Sequence, residues 1–433
     1  MIEKKINVEI AGGLDFKMSD MVTVKQKFDS PKIQDISESV KTELAKEVIR
    51  AKIKVGQNIA VGCGSRGIAN IAIIVKAVVD ELTNLGAKPF IFPCMGSHGA
   101  ATAEGQKEVL NGYGISEATM GVPINATMDT TIVGNLDDGT PVHMDANAAR
   151  ADGIVVINRI KPHTAFRGKT ESGLTKMLAI GIGKITGAAT YHQHGMDTFP
   201  TLLPKVRDAN ISARNVLFGV GIVENAYDET AIIEAIAAEE IGSREPDLQA
   251  LAKTNMPKLH FSEIDVLIID EMGKNISGAG YDPNITGRNR RSIDWEHELH
   301  IKKIVVLSLT PESHGNATGI GGADVTTMRL YKSMDVGATY ANVITSMNLD
   351  GAALPIIMNN DKDAIALAIK TVVRTSPDAC RVVRIKNTLS LGEISISANM
   401  VAEVKQKPNI FEIISSPKPF DFDANKNFYN LDS

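Results

Sequence analysis

Cysteine is scarce in this chain: Cys63, Cys94 and Cys380 are the only three among 433 residues, and they lie far apart. Scattered thiols of this kind cannot build a disulfide framework, a zinc ribbon or an all-cysteine iron–sulfur cluster, and they fit a reducing compartment. Aromatic residues are few, at 5%, with Trp295 the single tryptophan. Positive charge is not in excess, since 46 Lys and Arg against 51 Asp and Glu leave a net charge of −5. That balance argues against wholesale nucleic-acid binding. Also missing is any uncharged apolar run approaching the roughly 18 residues a membrane helix needs. The opening MIEKKINVEI alternates like a strand and lacks a signal-peptide core. A cytoplasmic protein with neither a nucleic-acid nor a membrane partner is the expectation.

What is present is ordinary globular material, 43% hydrophobic, in a chain too long for one core. Short apolar runs alternate with helical patterns. Asn58–Gly62 reads as a strand, followed by Gly64-Ser65-Arg66-Gly67 and a helix from Ile68 to Leu85 that Gly86 ends. Pro89–Cys94 reads as the next strand, followed by Gly96-Ser97-His98-Gly99 and a helix with Thr102 as N-cap. Further strands are expected at Ile154–Asn158, Val216–Gly221, Val266–Asp270, Ile304–Leu309 and Arg381–Ile385, with charged helical material such as Thr230–Glu240 between some of them. Repeated strand, glycine loop and helix is the pattern of an α/β fold with mostly parallel sheets. Leu248–His260 is polar and holds Pro257, so it reads as a link. The expectation is two α/β domains, residues 1–260 and 261–416, with a cleft between them and a C-terminal arm over 417–433.

The densest chemistry lies between Ile157 and Gly195, where His163, His192 and His194 and the lysines Lys169, Lys176 and Lys184 stand in a glycine-rich setting. Imidazoles and amines there can bind metals or anions, or move protons. In open α/β sheets ligands bind beyond the carboxyl ends of strands. Ser65, Arg66, His98, His163 and Lys274 each follow an expected strand, so one cleft could collect them. His98 and His163 on separate strand ends suit a reaction needing a base on each face of a substrate. Lys176, after a glycine turn, can reach an anion or attack an electrophile, as against an ordinary solvated lysine. Ser65 and Arg66 open a helix, a setting for phosphate or carboxylate. The pair His192 and His194 would face one metal from a strand and diverge on a helix. Gly315–Asp324 invites a dinucleotide reading but lacks an acidic residue for the ribose.

These pieces together resemble the nickel-dependent lactate racemase family. The likeness rests on Gly64-Ser65-Arg66, Gly96-Ser97-His98, Ile160-Lys161-Pro162-His163, Ser172-Gly173-Leu174-Thr175-Lys176 and a histidine at His192. It implies a racemase or epimerase of a small 2-hydroxy acid that works by hydride transfer to and from a nickel-pincer nucleotide (pyridinium-3,5-bisthiocarboxylic acid mononucleotide nickel). By position it implies His98 and His163 as the acid/base pair, Lys176 as the lysine holding the nucleotide through a thioamide, His192 as the nickel ligand, and Arg66 and Ser65 at the cofactor, with Arg66 also touching substrate. Lys274, Asn275 and Tyr281, in the second domain, are candidate substrate contacts. The chain departs from the family pattern in the longer stretch between His163 and Lys176 and in Gly99 after His98. Two alternatives remain at this point: a zinc-type hydrolase or lyase built on His163, His192 and His194, and a non-catalytic small-molecule-binding homologue.

Overall fold

The computed structural model describes residues 6–65, 67–288 and 297–428. In chain order the strands are β1 (Met21–Gln26), β2 (Asn58–Cys63), β3 (Lys88–Pro93), β4 (Thr130–Asn135), β5 (Pro141–Asp145), β6 (Gly153–Arg159), β7 (Val216–Glu224), β8 (Thr230–Ala237), β9 (Glu263–Met272), β10 (His300–Leu309), β11 (Val325–Thr327), β12 (Ile356–Met358), β13 (Val382–Ile385), β14 (Glu393–Ser397) and β15 (Phe411–Ile413). They divide between two compact units, Asp29–Met256 and Met1–Phe28 with Pro257–Ser433.

In the unit Asp29–Met256 the sheet order is β3-β2-β6-β7-β8. The first four strands run parallel and β8 returns antiparallel to β7. Their hydrophobic runs are buried almost end to end, as expected where helices cover both faces of a sheet. Helix Ile71–Asn84 covers one face with Val75, Val78, Val79 and Leu82. Leu174, Met177, Leu178 and Leu248 pack on the other. The strand order reverses between β2, whose chain leads to β3 on one side, and β6 on the other. The crevice at their carboxyl ends is the switch point where α/β sheets bind ligands.

The expected strands and the first two crossover helices form, with Thr102 accepting the Gly105 N–H at 3.0 Å as an N-cap. Of Thr230–Glu240, expected as helical, Thr230–Ala237 forms strand β8 and only Ala238–Glu240 turns as a 3-10 helix. The strand's apolar residues Ile232, Ile233 and Ile236 pair with Val223, Ile222 and Gly219 of β7, and a β-branched run offered a strand partner takes it. Leu248–His260 is not a linker throughout, since helix Ile241–Asn255 continues to its end and the boundary falls at 256/257. The described part of the opening segment, residues 6–10, is not a strand.

The other unit carries a sheet ordered β12-β11-β10-β9-β13-β14-β1-β15 among the described residues. Its β9 to β13 part is parallel and its β14, β1 and β15 edge antiparallel. This corrects the expected division at residue 260. Residues 1–28 belong with the C-terminal half because β1 lies between β14 and β15 and supplies hydrogen bonds that neither can make to the other. The described part of the expected C-terminal arm packs on this unit: Phe420, Phe422 and Phe428 lie against its core, and the Arg384 guanidinium lies 3.4 Å over the Phe428 ring. No helix among the described residues is long and apolar enough to cross a membrane.

Val24 is fully buried between Ile394 and Ile413. Val24→Ala should lower the stability of this unit by about 2 kcal/mol, read as a lower urea midpoint. An unchanged midpoint would mean β1 contributes nothing to its sheet.

Candidate active site at the carboxyl edge of the parallel sheet

The β2–β6 switch point is tightly built. Gly64 N–H donates to Ile157 O at 3.2 Å, and a side chain at Gly64 would run into Asn158 Oδ1. Only glycine therefore lets the chain leave β2 beside β6. Ser65 follows at once, and its Oγ hydrogen-bonds His98 Nδ1 across from the loop after β3. Two residues expected at neighbouring strand ends are thus in direct contact. Arg66 lies outside the described residues, as does Trp295.

His163 leaves β6 in a loop that folds back on a buried carboxylate. Glu171 accepts the His163 N–H at 2.7 Å and meets Lys253 at 2.9 Å and Arg167 at 3.4 Å, while its own side chain is wholly buried. The extra residues between His163 and Lys176 form this closed turn, completed where Lys161 and Ser172 exchange backbone hydrogen bonds. Ala165 N–H donates to His163 Nδ1 at 3.1 Å, so Nδ1 acts as an acceptor. On the other side of the ring, Lys176 Nζ lies 2.8 Å from His163 Nε2.

Lys176 stands where a short helix, Leu174–Lys176, passes into a π-helical turn, Met177–Gly181. Such turns are rare and often occur at functional sites. The preceding Thr175 is clamped: its N–H and hydroxyl both donate to Glu245, and Arg207 Nη1 donates to its Oγ1 at 2.9 Å. Burial pushes the Glu245 carboxyl above its ordinary range, opposed by the Thr175 hydrogen bonds and Arg207. One helix, Ile241–Asn255, therefore braces both sides of the Lys176–His163 contact, with Glu245 under the lysine and Lys253 under the histidine loop.

His192 ends helix Lys184–His192. Its ring lies 5.0 Å from Phe199, which meets Phe166 edge-on at 5.5 Å, and Phe166 lies 4.4 Å from His163. An aromatic wall thus links the two imidazoles. His194 is not part of this group: it lies beyond the helix end, is exposed, and bonds Thr140 Oγ1 at 3.2 Å. The zinc set of His163, His192 and His194 does not assemble, because the helix ends at His192 and the turn after it carries His194 to Thr140. Among the described residues no three His, Cys, Asp or Glu side chains converge to hold a metal. The thiols are buried, and desolvation pushes Cys63 up to about 12 and Cys380 to about 11, which disfavours the thiolate.

The suggested substrate contacts belong to the other unit. Lys274 Nζ donates to Gly278 O and Asn342 Oδ1, each at 2.7 Å, Asn275 Oδ1 accepts from Thr310 at 2.7 Å, and Tyr281 is buried. Lys274 and Asn275 are thus tied to Asn342 and Thr310 of the same unit. Sequence reading missed Glu171, Glu245 and Gln106; an acidic residue immediately before Ser172-Gly173 was a visible signal only for the first.

Residues 3–201 match the family model described as the lactate racemase N-terminal domain. Residues 3–201 are thus a lactate racemase-like N-terminal domain. The chain is also similar in structure to the lactate racemase apoprotein from Thermoanaerobacterium thermosaccharolyticum, at 11% identity and a TM-score of 0.48, covering 85% of this chain and 94% of that one. A protein from Thermotoga maritima is similar at 12% identity and a TM-score of 0.47, over 65% of this chain and 72% of that one. No curated protein matches the sequence. The matched span includes Ser65, His98, His163, Lys176 and His192.

Removing Glu171 would leave Lys253 and the His163 N–H without their buried acceptor. Glu171→Ala is expected to cost about 2 kcal/mol and to open the loop to trypsin at Arg167 and Lys169. Limited proteolysis checks this, and wild-type resistance in the variant would contradict the account.

Proposed function

We propose that this protein is a racemase or epimerase of a small 2-hydroxy acid that works with a nickel-pincer nucleotide. The observation that carries the reading is the 2.8 Å contact of Lys176 Nζ with His163 Nε2 at the switch point, with His192 on the same aromatic wall. The match of residues 3–201 to the lactate racemase N-terminal domain supports it.

The residues present suit the group. Lys176 offers an amine at a braced position and would hold the nucleotide through a thioamide. His192 offers one imidazole, a ligand type that suits nickel. A lone imidazole fits a metal that arrives with its other donors already attached. When bound, the nucleotide would supply a redox-active pyridinium ring able to take and return a hydride.

The chain's own residues handle the protons. Inverting a 2-hydroxy acid at Cα requires the hydroxyl proton to be taken and returned as the hydrogen on Cα changes face, so an acid/base group is needed for each enantiomer. His98 has its Nδ1 engaged by Ser65 and His163 its Nδ1 engaged by Ala165 N–H. With Nδ1 held in both rings, proton exchange would run through Nε2, in His163 once the Lys176 amine is taken up in the thioamide. Buried thiols agree with action in the reducing cytoplasm.

Protein produced alongside the enzymes that make the nucleotide should carry an adduct on Lys176 in peptide mass spectrometry; a clean unmodified mass with no nickel would end the proposal. With a panel of chiral 2-hydroxy acids, His98→Ala and His163→Ala should each slow loss of optical purity by roughly a hundredfold or more. Elemental analysis should find nickel lost in His192→Ala and kept in His194→Ala. The converse pattern would reassign the metal ligand.

A further inference from the structure

Lys184 is fully buried, and nothing in the proposed reaction uses it. Its backbone lies in the left-handed region at φ +55, unfavourable for a residue with a Cβ, so tertiary contacts hold it there. Its ammonium pairs with the equally buried Asp145 at 3.0 Å, donates to Pro93 O and donates to Gln106 Oε1 at 3.0 Å. Burial raises the Asp145 carboxyl and the Lys184 charge opposes that rise.

Gln106 is buried as well, and its other amide atom faces the His98 loop: Nε2 donates to Gly96 O at 2.9 Å and to His98 O at 3.2 Å. That loop needs holding. Ala100 and Ala101 sit at φ +53 and +55, left-handed values that a short free loop of alanines would not keep. An ammonium can only donate, so Lys184 forces the Gln106 oxygen toward itself and the NH₂ toward the two carbonyls. We infer that Lys184, with Asp145 as its counter-ion, is a positioning residue for His98, acting through the orientation of the Gln106 amide. The charge pair sets which way one side-chain amide points, and that amide sets where the imidazole loop sits against Ser65. The inference rests on His98 being an acid/base group only in so far as activity is measured.

The test reads His98 directly in the full-length chain without cofactor. Carbethoxylation by diethyl pyrocarbonate is followed peptide by peptide at His98 and, as an internal control, at His163. Two variants are compared with wild type. Gln106→Leu removes the amide. Lys184→Met with Asp145→Leu removes both charges together, which keeps a buried pair from being left half-made, and frees Gln106 to turn. In both, the His98 rate should change by roughly fivefold or more as its loop opens locally, with His163 unchanged. In the loaded enzyme kcat should fall by roughly 10- to 100-fold with KM little altered. A His98 rate within about twofold of wild type in both variants, or parallel changes at His98 and His163, would overturn the assignment. Wild-type protein without racemase activity would defeat the proposed function while leaving the modification rates to decide this one.

Discussion

The parallel pairing of β2 with β6 is the constraint on which the site depends. It places the Gly64-Ser65 turn and the Lys161–Thr164 loop side by side at one edge, with β3 delivering His98 from the neighbouring position. Without that register Ser65 would not reach His98 Nδ1, and the loop returning from His163 would not bring Lys176 onto its ring. The close approach of Gly64 to Asn158 tolerates no side chain, so a single missing Cβ lets the two strand ends lie together.

Around that edge, the groups that define the geometry are buried charges, not surface ones. Glu171 closes the His163 loop, Glu245 anchors Thr175 beside Lys176, and the Asp145–Lys184 pair reaches the His98 loop through Gln106. Burying charge is costly unless the partners are well placed, and leaving one partner alone is worse. Such groups are poor sources of net stability but strong constraints on geometry, because few arrangements satisfy all of their hydrogen bonds. Three imidazole- and amine-bearing segments are each tied to the scaffold by one of them.

The parallel α/β architecture was legible because buried parallel strands read as continuous apolar runs, as in Ile59–Val61, Ile154–Ile157 and Val266–Ile269. The position of Ser65, His98 and His163 just past strand ends was legible for the same reason. β8 was not, because TAIIEAIA carries a helical spacing and a strand spacing at once, and only β7 decides between them. Nor was the H-x-H pair: the spacing of His192 and His194 serves one metal on a strand, but helix Lys184–His192 stops at the first of them and the turn after it sends His194 to Thr140.

Local sequence determined what needs only neighbours: the glycine turns, the Thr102 cap, the apolar periods of the first two crossover units. The tertiary structure alone decided what needs a partner far along the chain. β1 joins strands more than 360 residues away in the numbering, Glu245 meets Thr175 across |i−j| = 70, and Lys184 meets Pro93 across |i−j| = 91. A hydrogen bond or ion pair of this kind leaves no periodic trace, because its strength depends on distance in space and not on separation along the chain.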